Sequence, residues 1–322
     1  MHTESLLEVR NLKTYFFTKK GAIKAVDDIS FSIETGETFG LIGESGCGKS
    51  MTALSIMRLI PQPPGKIVNG KILFENKDLL SLSDEEMRRV RGGRISMIFQ
   101  DPTSALNPVL TIGDQLSETL MIHKGLSNSE AKKKAIEKLE TVGVPSAEQR
   151  INEYPHQLSG GMRQRVMIAM ALSCNPVLLI ADEPTTNLDV TIQAQILELM
   201  NQIKKKYGGS IMLITHDFGI VAEICDKVAV MYAGEIVEYG STISIFYDTV
   251  HPYTKGLISC IPKKGKNLKP ITGNVPNLLN LPKGCRFYPR CSKSKDICSE
   301  NKPSLVEVDK GHYVSCYLNG DS

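Results

Sequence analysis

A glycine-rich octapeptide, Gly-Glu-Ser-Gly-Cys-Gly-Lys-Ser, occupies residues 43–50 directly after the apolar run 38–42. Its spacing is that of a phosphate-binding loop between a strand and a helix, where free N–H groups and the helix dipole favour an anion. We expect the helix to begin at about Ser50, Lys49 to reach the β- and γ-phosphates, and the Ser50 hydroxyl to bind Mg²⁺. Because the strand, loop and helix signals occur in this order, the motif indicates a nucleotide site rather than a chance glycine-rich turn.

An acidic pair, Asp182 and Glu183, follows a second apolar run at residues 177–181. Ligands of open α/β sheets bind at the carboxyl ends of the strands, so the pair is predicted to lie beside the nucleotide. Asp182 suits the surroundings of Mg²⁺, which keeps several of its waters. Glu183 suits the polarisation of the water that attacks the γ-phosphate. The alternative is that both acids only cap a turn. The presence of a phosphate-binding loop in the same chain disfavours this alternative.

A second anion-binding motif occurs at residues 158–165, where Ser159, Gly160 and Gly161 precede a helical pattern. A hydroxyl and exposed N–H groups at the start of a helix favour a bound anion. One nucleotide does not need two such anion-binding motifs. We therefore predict that this motif serves a nucleotide held by another subunit.

The 322-residue chain is 41% hydrophobic, which supports a packed core. Short β-type runs over residues 6–42 predict a small antiparallel sheet, residues 110–175 read as helical, and strands then alternate with helices. The sequence contains no stretch of about 18 apolar residues, which is the signal that would predict a membrane span. The first residues lack a secretory signal, so we expect a cytosolic location. A net charge of only +3, with both signs interleaved, argues against a nucleic-acid binder.

Four of the eight cysteines lie close together near the end of the chain, at Cys285, Cys291, Cys298 and Cys316. In a reducing cytosol such a cluster favours a metal site over disulfides. Zinc sites usually contain cysteine pairs two to four residues apart, which these spacings lack. Four thiolates can hold a [4Fe–4S] cluster; zinc and unliganded thiols remain the alternatives. Arg286 and Arg290 would then either offset cluster charge or be solvated loop residues.

Taken together, residues 6 to about 246 resemble the ATP-binding cassette (ABC) family. The resemblance is carried by the loop 43–50, Gln100 after Phe99, the Leu-Ser-Gly-Gly signature 158–161, Asp182–Glu183, Leu188–Asp189 and His216. It implies an α/β P-loop NTPase fold with a mixed sheet core, an antiparallel β subdomain and a helical subdomain at about 102–175. It also implies a head-to-tail dimer that holds two ATP molecules, each between one P-loop and the facing signature.

The same resemblance implies individual roles. Gln100 would contact Mg²⁺ and water, Asp189 would link the two sites, and His216 would hold the γ-phosphate and position Glu183. Tyr15 lies where the family stacks an aromatic ring on adenine, with Phe16 as the alternative. Asn187, where many members carry Ala or Ser, is a departure expected to have little effect. The remaining predicted nucleotide contacts are Gly43, Glu44, Ser45, Gly46, Cys47, Gly48 and Met51.

Within that family, residues 102–108, 189–195 and 251–257 resemble the peptide/nickel importer subfamily. The resemblance implies a motor at the cytoplasmic face of the membrane, with a second ATPase, two permeases and an extracytoplasmic binding protein. Its solute would be dipeptides, oligopeptides or nickel, and some relatives carry a [4Fe–4S] cluster in the tail. We predict a cassette at 1–246 and a loop-rich extension at 247–322. A soluble cassette ATPase acting on nucleic acid or ribosomes is the rival, but such proteins commonly fuse two cassettes or insert coiled coils.

Overall fold

The computed structural model describes residues 5–186, 189–261 and 271–318, with the side chains of 203, 206 and 207 left aside. The strands are β1 (Ser5–Thr18), β2 (Gly21–Glu34), β3 (Thr38–Ile42), β4 (Gly65–Phe74), β5 (Lys77–Asp78), β6 (Ile95–Ile98), β7 (Leu178–Asp182), β8 (Ser210–Thr215), β9 (Lys227–Tyr232), β10 (Glu235–Ser241), β11 (Val306–Asp309) and β12 (His312–Val314). The helices are α1 (Lys49–Ile56), α2 (Asp84–Val90), α3 (Pro102–Ala105), α4 (Ile112–Lys124), α5 (Asn128–Thr141), α6 (Ala147–Arg150), α7 (Gly160–Leu172), α8 (Val190–Tyr207), α9 (Phe218–Ile224), α10 (Thr242–Tyr247), α11 (Pro252–Ser259) and α12 (Ile297–Glu300). Short 3₁₀ turns occur at Pro155–Gln157 and Tyr288–Arg290.

The chain divides into two compact units, one from residues 1–80 with 213–322 and the other from residues 81–212. In the first unit β2, β1, β4 and β5 form an antiparallel sheet in that order. Alternating apolar residues of β1 and β2, among them Leu7, Val9 and Ile29, are fully buried and form its core face. This sheet confirms the predicted antiparallel β subdomain.

A mixed sheet forms the other half of the first unit. Strand β3 pairs in parallel with β9, and β9 pairs antiparallel with β10. All five residues of β3 are buried, as expected for a parallel strand that is covered on both faces. Strand β12 adds to the far side of β10, and β11 adds to β12. The phosphate-binding loop therefore begins at the end of a rigid, fully buried strand.

The second unit combines parallel strands with a group of helices. Strand β6 pairs in parallel with β7, with Ile95 opposite Leu178. Helices α4, α5 and α7 pack on one another through apolar residues such as Leu116, Leu139 and Val166, all fully buried. Within the described residues no helix has the length and apolar character needed to cross a bilayer.

Most predicted elements are present, with shifted ends. The loop helix α1 begins at Lys49, one residue before the predicted start, and ends at Ile56, because Arg58 takes a left-handed conformation (φ 50°). Strand β10 was not predicted, and neither were β11 and β12 in the tail that we expected to be loop-rich. Their short, partly polar sequences carry no clear alternation; they become strands because β9 offers β10 an edge, and β10 in turn pairs with β12.

Candidate functional site

The loop 43–50 has a backbone that other residue types could not adopt at two positions. Gly43 has φ +155°, and a Cβ there would stand 2.3 Å from the carbonyl oxygen of Met231. Gly48 has φ +109°, and a Cβ there would stand 2.2 Å from the carbonyl oxygen of Ala25. Both glycines are therefore required for the close approach of the loop to β9 and β2.

The lysine of this loop is held against the loop itself. Lys49 Nζ donates to the carbonyl oxygens of Gly43 at 2.8 Å and Glu44 at 3.1 Å, and the residue is only 4% exposed. Its ammonium group thus lies inside the curve of the loop. Of the other predicted contact residues, Ser45 and Gly46 are exposed at the tip, Cys47 is buried, and Ser50 and Met51 are half-buried in the first turn of α1.

Three predicted hydrolysis residues come together in the second unit. Asp182 is the last residue of β7 and is 4% exposed. Glu183 follows it, and its Oε2 accepts hydrogen bonds from Gln100 Nε2 at 3.0 Å and from the Thr186 hydroxyl at 2.9 Å. Glu183 also has φ +45°, a conformation that L-residues rarely adopt and that recurs at functional sites. Gln100, 83 positions away in sequence, is thus already bonded to the predicted catalytic carboxylate.

The signature motif forms the start of α7. Ser159 is the cap of this helix, with its Oγ accepting from the N–H of Met162 at 3.3 Å. Gly160 and Gly161 are the first two helical residues, and a Cβ at Gly160 would meet no atom within 4 Å. Asp189 caps α8 in the same way, accepting from the N–H of Ile192 at 3.0 Å. Neighbouring Asn187 and Leu188 lie outside the described residues.

Two further predicted residues belong to the first unit. Tyr15 on β1 donates from its hydroxyl to Asp27 Oδ1 at 2.5 Å, and Lys24 Nζ lies 5.7 Å from the centre of its ring. Burial and the Asp27 carboxylate together raise the pKa of Tyr15, so the ring stays neutral. His216 directly follows β8 and is exposed. Phe16, the alternative to Tyr15, is half-buried.

The four clustered cysteines line one cavity. His251, Pro252 and Phe287 contribute to the same cavity. Burial, together with negative charge on Cys298 and Cys316, raises the pKa of Cys285 to about 11. Burial also raises the pKa of Cys291 and Cys316. A bound cation would therefore be needed to keep the thiols of Cys285, Cys291 and Cys316 ionised at neutral pH.

Backbone N–H groups approach each of these sulfurs. Cys298 Sγ accepts from the N–H of Lys295, and Cys316 Sγ from that of Leu318, both at 3.5 Å. The N–H groups of Phe287 and Lys293 lower the pKa of Cys285 and Cys291 respectively, although burial outweighs them. Such N–H···S contacts favour thiolate ligands. Among the described residues, no group of three or more His, Cys, Asp or Glu is arranged to hold a single metal ion.

For the two arginines beside the cysteines, the alternative of a solvated loop residue is wrong. Their side chains are only 7% and 6% exposed, so neither Arg286 nor Arg290 is a solvated loop residue. Arg286 pairs with Asp27, and Arg290 pairs with Glu44 of the phosphate-binding loop. Their charges are thus matched by carboxylates of the described residues. Sequence reasoning missed both pairs; the only signal was the placement of each arginine directly beside a cysteine.

Comparison with known proteins agrees with this arrangement. Residues 26–186 match the ABC transporter family, and residues 237–298 match the oligopeptide/dipeptide transporter C-terminal region. The chain is 55% identical over 317 residues to the oligopeptide transport ATP-binding protein AppD of Bacillus subtilis (strain 168), covering 98% of this chain and 97% of that protein. It is 52% identical over 318 residues to the dipeptide transport ATP-binding protein DppD of the same organism, covering 98% and 95%.

The fold matches a solved ATP-binding cassette, MJ0796, in a dimeric post-hydrolysis structure bound to ADP and Pi. The TM-score is 0.66 at 28% identity, covering 73% of this chain and 98% of the cassette. These matches confirm the predicted cassette fold. The chain therefore belongs to the ABC transporter family of ATPases, within its oligopeptide/dipeptide importer group.

Proposed function

We propose that this ATPase is the motor subunit of an importer for dipeptides or oligopeptides. The observation that carries the proposal is the full-length likeness to transport ATP-binding proteins for both kinds of peptide. The match also extends through the C-terminal region, which a likeness of the cassette alone would not include. Nickel remains the alternative solute, because the choice of solute lies in the binding protein and permeases.

Hydrolysis is assigned to Glu183, which accepts a proton from the water that attacks the γ-phosphate. The Gln100 amide and the Thr186 hydroxyl both donate to its Oε2 and so orient the carboxylate. Lys49 neutralises phosphate charge, and His216 contacts the γ-phosphate. Ser50, Gln100 and Asp182 offer the hydroxyl, amide and carboxylate oxygens that suit Mg²⁺, which when bound supplies charge neutralisation. Tyr15, neutral and partly exposed, stacks on adenine.

A second ATPase subunit completes the site. A Cβ at Gly160 would meet open space, so none of the residues that the structure describes requires a glycine there. A phosphate of a nucleotide bound to another subunit does require one, since the N–H groups at the start of α7 must be approached closely. Ser159 would add its hydroxyl, and Asp189 would link the two sites. The dimer consists of two copies of this chain or of this chain with a related ATPase.

A permease contact fits the segment after Gln100. Val109 is 75% exposed and Leu110 36% exposed, next to the segment 102–108 that resembles the importer subfamily. Exposed apolar residues grouped in this way mark protein contacts. We assign this surface to the coupling helix of a permease, which places the motor at the cytoplasmic face of the membrane. An extracytoplasmic binding protein would deliver the peptide.

Uptake by cells that lack the gene tests this proposal. Restoring the wild-type chain should restore uptake of labelled di- or oligopeptides, and the Glu183→Gln variant should not. Uptake of nickel instead of peptide would select the alternative solute. ATP turnover stimulated by nucleic acid or ribosomes, without either uptake, would favour the soluble rival and contradict an importer.

The four-cysteine cavity is proposed to hold a [4Fe–4S] cluster, with zinc as the alternative. Support comes from the four thiols that line one cavity and from the N–H groups that donate to the sulfurs of Cys298 and Cys316. When bound, the cluster would cross-link segments 285–298 and 316, which have little core of their own. Iron, sulfide and zinc analysis of protein purified without oxygen decides between them. The division into 1–246 and 247–322 is retained as part of this proposal.

A further inference from the structure

The side chain of Arg290 connects the cysteine-containing segment to the phosphate-binding loop. Its Nη1 and Nη2 donate to Glu44 Oε2 at 2.8 Å and Oε1 at 3.1 Å, a bidentate pair between residues 246 positions apart. Nη1 also donates to the Tyr232 hydroxyl at 3.3 Å, and Nε donates to the carbonyl oxygen of Thr272 at 3.0 Å. The side chain is 6% exposed and lies against the rings of Tyr232 and Phe287. This geometry fixes the guanidinium and, through it, the Glu44 carboxylate.

Tyr253 holds the same loop residue by its backbone. The N–H of Glu44 donates to the Tyr253 hydroxyl at 3.0 Å. Tyr253 is fully buried and packs edge-on against Tyr232, with ring centres 4.6 Å apart. Glu44 is thus held at its N–H and at its carboxylate by two residues of the C-terminal region. One of the two, Arg290, is directly followed by Cys291.

Arg286 supports the other end of the loop indirectly, through the turn between β9 and β10. Its Nη1 donates to the carbonyl oxygen of Ala233 at 2.5 Å, in the turn between β9 and β10. The next residue in that turn, Gly234, donates its N–H to the carbonyl oxygen of Cys47 in the loop, at 2.8 Å. Arg286 directly follows Cys285. Cys285 and Cys291 therefore each have an adjacent, buried arginine; Arg290 bonds the phosphate-binding loop directly, whereas Arg286 acts on it through the turn at Ala233 and Gly234.

The Glu44 carboxylate would be unfavourable for ATP without its partner. A carboxylate in the loop repels the β- and γ-phosphates, and burial makes that repulsion larger than in water. Arg290 cancels this charge and holds it in place. A contact that only docks the tail on the cassette could also be an ion pair. Such a contact would not need to involve a residue of the phosphate-binding loop itself.

We propose that Arg290 is a positioning residue for ATP, which neutralises and holds Glu44 so that segment 284–298 and the nucleotide are energetically coupled. The proposal rests on the loop 43–50 being the ATP site of the proposed function. It does not depend on what the four cysteines hold.

Three variants separate this role from docking. Arg290→Gln leaves Glu44 unpaired and should raise the KM for ATP about tenfold, with kcat within about twofold. Adding Glu44→Gln removes the repelling charge, so the double variant should recover most of the affinity. Arg290→Lys keeps the charge but loses the bidentate geometry, and should give an intermediate KM.

The control is Arg10→Gln, which breaks the exposed Arg10–Glu8 pair in the same unit and should leave KM unchanged.

The proposal would be overturned if Arg290→Gln and the double variant both had a normal KM for ATP and a lowered melting temperature. The Arg290–Glu44 pair would then be only a docking contact. If Arg290→Gln fails to fold, the same comparison is made between Arg290→Lys and the double variant Glu44→Gln/Arg290→Lys. A wild-type chain that binds no ATP would instead refute the proposed function, which distinguishes the two failures.

Coupling must also act in the opposite direction, because linkage between two sites is reciprocal. A non-hydrolysable ATP analogue should slow amide hydrogen exchange across residues 284–298 in the wild type and in Arg10→Gln. In Arg290→Gln that slowing should be lost. Equal protection in all three proteins would show that Arg290 does not transmit the effect.

Discussion

Glu183 illustrates how one residue can meet two structural demands at once. It must leave the strand that ends at Asp182, and its carboxylate must reach the amide of Gln100. Both are met by φ +45°, which costs about 1–3 kcal/mol at a residue other than glycine. The surrounding hydrogen bonds from Gln100 and Thr186 offset this cost and fix the side chain in a single position.

Replacing Glu183 by Gln should lower steady-state ATP turnover by about 10²–10⁴-fold, because the side chain can no longer accept a proton. ATP binding should persist, and a closed dimer should accumulate. Turnover is read by phosphate release and the dimer by size-exclusion chromatography with ATP. Glu198→Gln, on the exposed side of α8, is the matched control. Unchanged turnover in Glu183→Gln would exclude this residue as the base.

Lys49→Ala should weaken ATP binding about 10- to 100-fold, since a charge-assisted hydrogen bond to phosphate is lost. The loop carbonyls of Gly43 and Glu44 would also lose their donor. A binding titration with a fluorescent ATP analogue measures this change. Lys71→Ala removes an exposed lysine of the same unit and should bind as the wild type does.

Among the elements, α7 combines two functions at its first turn. Ser159 caps the helix, and the glycines that follow leave its N-terminus open. Gly160→Ala should leave the free energy of unfolding unchanged or raise it by up to about 1 kcal/mol, because alanine favours a helix and meets no neighbour.

The same Gly160→Ala variant should nevertheless lose most of its ATPase activity, because the added methyl group lies where the second subunit's nucleotide is proposed to approach. Thermal unfolding and turnover measured on one preparation give both quantities. Normal activity would argue against the head-to-tail arrangement. Ser83→Ala, which removes the cap of α2, should lower stability by about 1 kcal/mol without this selective loss of activity.

Elements with local signals were predictable and those that depend on distant partners were not. Strand β7 and helix α8 follow from an apolar run and a 3.6-residue period within their own sequences. Strand β12 forms only because β10 offers it an edge, and Glu238 lies opposite Val314 at that edge. The pairing of Arg290 with Glu44 spans 246 positions, and the two residues share no local pattern that predicts it. The long-range ion pairs of the site were therefore beyond sequence reasoning.

On the scale of the whole molecule, the tail provides part of the packing around the nucleotide loop. We expect about four iron and four sulfide per chain in anaerobically purified protein, as a [4Fe–4S] cluster requires. Cys298→Ser should lose this iron and lower the melting temperature, because a cross-link between segments is removed. Cys260→Ser is the control, since Cys260 does not line the cavity, and it should keep full iron content. Equal iron in both variants would contradict the assignment.

The pairing of Glu44 with Arg290 also has a consequence for synthesis on the ribosome. The loop is made early, but its partner follows 246 residues later. At about 5–20 residues per second, that delay is roughly 10–50 s. During this interval the cassette emerges with an uncompensated carboxylate in its phosphate loop. Newly made chains would therefore bind ATP weakly until Arg290 has been added, and fragments that end before Arg290 would not act as ATP-driven motors.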